Sequence, residues 1–200
     1  MDVRAHWRGR ERYTVFDTHY GMGDRVRALQ EAWRADPERP GRLHIVALAE
    51  GMLPGFHRIP QDDARLTLTL LAAPPGTALA QLGAQPDYVY LHGVTGLDFV
   101  RPLARIAAAG ARLHAEGASE EQRAALQAQG FVFDDAGGHA VFASRKPRLP
   151  VAAVPERRAI VIGAGLAGSA ACASLCARGW QVALVERHPA PAMEASGNLA

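Results

Sequence analysis

Cysteine is almost missing from this chain of 200 residues, Cys172 and Cys176 being the two it has. Lying one helical turn apart, they read as small buried residues of a helix, and they lack the CxxC spacing of a redox or zinc pair. A disulfide framework is therefore excluded, which agrees with a reducing compartment and a cytoplasmic location. Long apolar runs are lacking too. None approaches the length of a membrane span and no signal peptide precedes the first strand, so neither a membrane nor a metal is expected as a partner. Charge of one sign is also not in excess. Lys and Arg number 22 against 20 Asp and Glu, a net charge of +2 that diagnoses no partner. The bases are nevertheless clustered: Arg4, Arg8, Arg10 and Arg12 lie near the start, and Arg145, Lys146, Arg148, Arg157 and Arg158 lie around a proline-containing joint. A solvated linker accounts for the second cluster, with nucleic-acid phosphate contact as the alternative.

What is present in quantity is apolar residue, 48% of the chain, enough for one good core and the beginning of a second. The most informative stretch is Ala159-Ile-Val-Ile-Gly-Ala-Gly-Leu-Ala-Gly-Ser169, running through an alanine-rich segment to Val182-Ala-Leu-Val-Glu186. It reads as strand, glycine turn, helix and strand ending in an acid, the opening βαβ unit of a dinucleotide-binding domain. Gly163 makes the tight turn, Gly165 lets the backbone approach a pyrophosphate, and Gly168 lets the helix pack on the strand. Glu186, eighteen residues past Gly168, has close to the spacing of a carboxylate that accepts from the adenosine ribose hydroxyls. The motif alone does not separate FAD from NAD. Glu186-Arg-His-Pro followed by Ala195-Ser-Gly-Asn198 is more like a flavoprotein. Ala200 comes roughly forty residues into a domain type that needs well over a hundred, so this unit is expected to be incomplete.

The first half opens in the same way. A strand over 13–17 is followed by Thr18-His-Tyr-Gly-Met-Gly23 and a helix to about Ala35, with Val26, Leu29, Ala32 and Trp33 on one face. A nearly continuous apolar strand over 43–49 then ends in Glu50. Residues 51–64 hold Pro54, Gly55 and Pro60 with no helical period, so the usual crossover helix is missing. Strands are expected at 65–71, 87–91 and 111–115, and helices at 77–82, 97–109 and 119–129. The last of these has Ser119 as N-cap and Gln122 at the capping-box position. Residues 131–143 read as an antiparallel hairpin turning at 135–138. An α/β run closed by such a hairpin is the element order of a class I, S-adenosylmethionine-dependent methyltransferase sheet. The expected division is a methyltransferase-like domain over 1–146, a linker over 147–157, and the start of an FAD or dinucleotide-binding Rossmann domain over 158–200.

Trp7-Arg-Gly-Arg-Glu-Arg-Tyr-Thr-Val-Phe-Asp17, Leu29-Gln-Glu-Ala-Trp-Arg-Ala-Asp-Pro37, Gly55-Phe-His-Arg-Ile59 and Arg65-Leu-Thr-Leu-Thr-Leu70, with Glu186-Arg-His-Pro and Ala195-Ser-Gly-Asn198, carry a resemblance. Together they resemble the bacterial family of bifunctional tRNA 5-methylaminomethyl-2-thiouridine biosynthesis proteins, over nearly the whole chain. The resemblance implies a flavin domain that removes the carboxymethyl group from a modified wobble uridine, and a methyltransferase domain that methylates the exposed amine. It makes tRNA the partner, FAD the cofactor, and Gly163, Gly165, Gly168 and Glu186 the FAD contacts. Oxidation of this kind takes a hydride from the carbon next to the secondary amine and leaves an imine for water to hydrolyse.

The methyltransferase half departs from the family's pattern. His19 stands at the first glycine position of the acid-x-Gly-x-Gly-x-Gly loop, where a side chain crowds the cofactor's approach. Leu71-Ala-Ala-Pro74 lacks the adenine-side acid, His92-Gly-Val94 replaces Asp-Gly-Phe, and the extension before Trp7 is absent. Asp17, Gly21, Gly23 and Glu50 survive as a vestigial S-adenosylmethionine site, and His92 reads as structural rather than as a base. An inactive methyltransferase-like domain attached to an FAD-dependent oxidoreductase is therefore expected. The alternatives are a non-catalytic module that binds tRNA or docks on the flavin domain, and an unrelated flavoprotein oxidoreductase with a fused α/β domain. No catalytic residue for oxidation is identifiable before Ala200.

Overall fold

The apolar runs of the first half become neighbouring strands of one sheet. The computed structural model describes residues 3–143, 156–191 and 193, and the chain divides into two units, 1–150 and 151–200. In the first, a short helix α1 (Arg4–Trp7) precedes β1 (Arg12–Asp17), α2 (Asp24–Ala35), β2 (Arg42–Leu48), β3 (Gly55–Ile59) and β4 (Leu66–Ala72). Then follow α3 (Pro75–Gln81), β5 (Tyr88–Leu91), α4 (Val100–Ile106), β6 (Arg112–Ala115), α5 (Glu120–Ala128), β7 (Phe131–Phe133) and β8 (His139–Phe142). The strand order is β3-β4-β2-β1-β5-β6-β8-β7. The five strands from β4 to β6 are parallel, whereas β3 and the β7–β8 hairpin run against their neighbours. This is a mixed α/β, Rossmann-like sheet with the closing hairpin expected from residues 131–143.

Both faces of the sheet are buried, which is why its central strands read as almost unbroken apolar runs. On one face Phe16, Val46, Leu71, Val89 and Leu113 meet Leu79 of α3, Leu103 of α4 and Leu126 of α5. On the other, Val15, Ile45, Leu68 and Tyr88 meet Val26, Leu29 and Trp33 of α2 and Trp7 of α1. Each fully buried side chain of this size contributes about 1.5–3 kcal/mol. The two indoles are buried without loss of their hydrogen bonds: Trp7 donates to Asp36 Oδ2 at 2.8 Å and Trp33 to the Pro40 carbonyl at 2.8 Å. Both α1 and its anchor Trp7 were invisible to periodicity, four residues being too few to carry one.

Between β2 and β4 the missing crossover helix is replaced by an antiparallel edge strand. Residues 55–59 pair with Leu68–Ala72, from Gly55 opposite Ala72 to Ile59 opposite Leu68. The chain thus returns along the sheet's edge, and β4 inserts between that strand and β2. Five residues including His57 and Arg58 give no apolar alternation; it is the ladder to β4 that makes them a strand. The helix expected over 97–109 is shorter, because the Ala108 amide leaves it to bond the Pro86 carbonyl at 3.0 Å.

The second unit consists of β9 (Arg158–Ile162), α6 (Leu166–Cys176) and β10 (Gln181–Val185), with β9 and β10 parallel from Arg158–Gln181 to Ile162–Val185. The expected burial of the two cysteines is corrected here: Cys172 is half-buried and Cys176 exposed. Helix α6 rests on two strands, and none of its residues is fully covered. The 147–155 joint, Arg145, Lys146, Arg148 and the Ala195–Asn198 loop lie outside the described residues. Of the remaining bases, Arg8 pairs with Glu38, Arg10 with Asp87 and Arg158 with Glu156.

Candidate functional site

In the second unit the three glycines and Glu186 converge on one loop. Gly163 has φ +96°, a conformation that favours glycine. Its amide donates to the Val185 carbonyl at 2.8 Å, tying the end of β9 to the end of β10. Gly165 is the N-cap of α6, and its carbonyl accepts from Ser169. A Cβ on Gly168 would stand 1.8 Å from the Gly163 carbonyl oxygen, so only glycine lets α6 approach the turn this closely. Gly165, by contrast, has open space where its Cβ would be, as a face left for a ligand requires.

Glu186 follows β10 directly and turns its carboxylate back over the loop. Oε2 accepts from the Ala164 amide at 2.6 Å, and Oε1 from the amides of Arg187 and His188 at 2.8 and 3.1 Å. These backbone donors, Ala164 first, hold its pKa below the ordinary glutamate value. An ionised carboxylate with about four lone-pair sites keeps acceptor capacity beyond these three bonds. Open space at Gly165, the start of a helix of eleven residues and an ionised acid beside the same turn suit a nucleotide diphosphate with its ribose. The residues present therefore fit the adenylate half of a dinucleotide.

The first unit is arranged differently. Its strand order reverses between β1 and β5, and the crevice beyond the carboxyl ends of those strands is where open α/β sheets take ligands. Asp17 is there, at the end of β1, with a side chain 1% exposed. Arg25, in the first turn of α2, donates from one guanidinium nitrogen to both Asp17 oxygens at 3.0 and 3.1 Å. The guanidinium also lies over the Tyr90 ring, 4.7 Å from its centroid, and its other nitrogen is 3.8 Å from Glu116 Oε2. Burial pushes the Asp17 carboxyl up from its ordinary value, opposed by the His19 amide and by Arg25.

Gly21 and Gly23 have φ +54° and +79° and shape the loop, but they make room for the protein's own rings. A Cβ on Gly21 would lie 3.1 Å from His19 Nε2, and one on Gly23 would lie 2.8 Å from the Tyr20 hydroxyl. Thr18 bridges the crevice: its hydroxyl accepts from the His92 amide and donates to the His92 carbonyl, both at 2.8 Å. His92 thus closes the crevice through its backbone, while its ring lies with Nδ1 3.6 Å from Glu116 Oε2 and stands 5.6 Å from the ring of His19. Glu50 is exposed just past β2, outside this network. The residues present do not fit S-adenosylmethionine. Arg25, Tyr90, Thr18 and Glu116 were missed by the sequence reading. Arg25 did carry a signal, since a cation in the first turn of a helix runs against the helix dipole.

Residues 158–200 match the family described as FAD dependent oxidoreductase. The whole chain is similar to tRNA 5-methylaminomethyl-2-thiouridine biosynthesis bifunctional proteins, with 39% identity to that of Burkholderia ambifaria (strain MC40-6) and 35% to that of Azoarcus sp. (strain BH72). These alignments take in 98% and 97% of the chain. The similarity to this family thus runs along almost the whole chain. It spans 38% of the length of each of these two relatives. Among solved structures, the crystal structure of MNMC2 from Aquifex aeolicus matches 72% of the chain and 57% of its own, with a TM-score of 0.52 and 18% identity. That likeness supports the fold. The match over 158–200 supports FAD as the cofactor of the second unit. Among the described residues, no helix is long and apolar enough to cross a membrane, and no group of three or more His, Cys, Asp or Glu could hold a metal.

Proposed function

We propose that this chain carries the adenylate-binding start of an FAD-dependent oxidoreductase behind a methyltransferase-derived domain that has lost its own cofactor. In the whole protein the oxidoreductase removes the carboxymethyl group from 5-carboxymethylaminomethyl-2-thiouridine at the wobble position of tRNA, in the cytoplasm. One observation carries the reading: Gly168 fits against the Gly163 carbonyl while Glu186 is bonded into the same turn. Gly163, Gly165 and Gly168 would give the pyrophosphate its close approach, and Glu186 would accept from the ribose hydroxyls. Bound flavin would supply a two-electron acceptor; these residues hold and orient its adenylate end. The division of labour is a methyltransferase-like domain over 1–146, a joint over 147–157 and the flavin-binding start over 158–200.

A second reading concerns the first unit by itself, as a non-catalytic module for tRNA binding or docking. The Asp17–Arg25 pair favours it, because a carboxylate committed to an internal cation is withdrawn from a cofactor. A chimera tests the main reading, with this chain replacing the aligned N-terminal part of the Burkholderia ambifaria relative. It is expected to purify yellow and to convert the carboxymethylated nucleoside in tRNA from a strain lacking the activity, read by nucleoside mass spectrometry. A folded but colourless chimera would refute the flavin assignment. The 200-residue chain alone is expected to retain no flavin.

A further inference from the structure

We propose that the switch-point crevice of the first unit is a cation-binding site permanently filled by the unit's own Arg25, an internal plug that makes the fold independent of a bound cofactor. The inference stands apart from the flavin reading and concerns a residue that the methyltransferase pattern does not assign. Three groups make the cation site: the Asp17 carboxylate, the Tyr90 ring face and, more distantly, the Glu116 carboxylate. Arg25 meets all three, at 3.0 and 3.1 Å to Asp17, 4.7 Å above Tyr90 and 3.8 Å from Glu116. A planar guanidinium suits the set, since it can offer N–H groups to carboxylates in its own plane while lying over an aromatic ring.

The surroundings act in the same sense. Where a ligand would need bare backbone, the His19 ring covers Gly21 and the Tyr20 ring covers Gly23. Where it would need an open cleft between β1 and β5, the Thr18 hydroxyl and the His92 backbone close it with two bonds. The loop is also tied to both flanking strands: the Thr18 amide bonds the Tyr90 carbonyl at 3.0 Å, and the Tyr20 amide bonds the Leu48 carbonyl at 2.8 Å. Both bonds hold the loop against the strand ends. An Asp17 buried at the strand end with no cation beside it would be costly, and a nucleotide fold without a ligand must meet that cost from within. Arg25 does so.

The test is chemical rescue in the full chain. Arg25→Ala is expected to lower the melting temperature of the first unit by roughly 5–10 °C, the effect of stranding a buried charge. Millimolar methylguanidinium should then restore at least half of the loss, equimolar sodium chloride should restore none, and the unsubstituted protein should respond to neither. A melting temperature unchanged by Arg25→Ala, or rescue by salt equal to that by methylguanidinium, would overturn the proposal. If Arg25→Ala fails to fold, Asp17→Asn, Arg25→Gln and their double variant decide it. The plug requires that the double variant lose clearly less than the sum of the single losses, and additive losses would overturn it.

Discussion

Gly168 lies so close under Gly163 that a single added methyl group would stand 1.8 Å from the Gly163 carbonyl oxygen. Backbone stands on both sides of this contact, so neither can yield as a flexible side chain does. Gly168→Ala is expected to force α6 away from β9 at a cost of about 1–3 kcal/mol, the range for overpacking a tight interface. Amide exchange at Val161 and Leu184 should accelerate at least about fivefold if that opening is what exposes them. Gly165→Ala, where no atom lies near the added Cβ, should leave both rates unchanged.

Glu186 should act as the acid that organises the nucleotide turn, and its titration gives a sign. Its folded pKa is lowered from the ordinary 4.5 by the amides of Ala164, His188 and Arg187. The contribution is therefore complete above pH 4.5 and is lost as pH falls through the lower folded value. Glu186→Gln replaces one accepting oxygen by a donor, so part of the set loses its acceptor. The Ala164 amide is expected to exchange faster in this variant at neutral pH, and its protection should no longer change below pH 4.5.

His44 predicts an acid sensitivity of the first unit. Burial, helped by Arg58, brings its imidazole down from 6.5 to about 4, and Nε2 lies 3.0 Å from the Thr69 hydroxyl. The folded protein keeps this group neutral where the unfolded chain takes up a proton. Stability from this source is complete above pH 6.5 and is lost progressively toward pH 4, by up to about 3 kcal/mol. Urea melts at pH 7 and pH 5 should differ in midpoint, and His44→Met should shrink that difference.

Gln122 should matter more than the cap it serves. Ser119 and Gln122 exchange side-chain and backbone bonds at 3.1 and 3.0 Å, and the Gln122 amide also donates to the carbonyls of Val94 and Gly96. Ser119→Ala should cost about 1 kcal/mol, the usual loss of an N-cap. Gln122→Ala also strands two carbonyls and should cost about 2 kcal/mol. Denaturant midpoints that rank Ser119→Ala as the worse variant would show that the loop before α4 does not depend on Gln122.

Titration calorimetry with S-adenosylmethionine should give no heat with the full chain, and His19→Gly should not create any. Removing that ring clears Gly21 but leaves Asp17 bonded to Arg25 and the cleft closed by Thr18 and His92. Tight binding by His19→Gly would mean that the first glycine position was the sole defect.

The sequence by itself determined what depends on local periodicity and on spacing along the chain. The central strands are nearly continuous apolar runs because both faces of the sheet are covered, and Gly163, Gly165, Gly168 and Glu186 fall within one βαβ unit, where spacing dictates geometry. The capping box at Ser119 was legible for the same reason. Only the tertiary structure decided the rest. Residues 55–59 become a strand through pairing with β4, and Trp7 earns its place by reaching Asp36, 29 residues away. The first unit's crevice belongs to this second class. Asp17, Arg25, Tyr90 and Glu116 lie on four separate elements or loops, and the attraction that joins them is set by distance and burial in the folded chain, to which neighbouring letters give no clue.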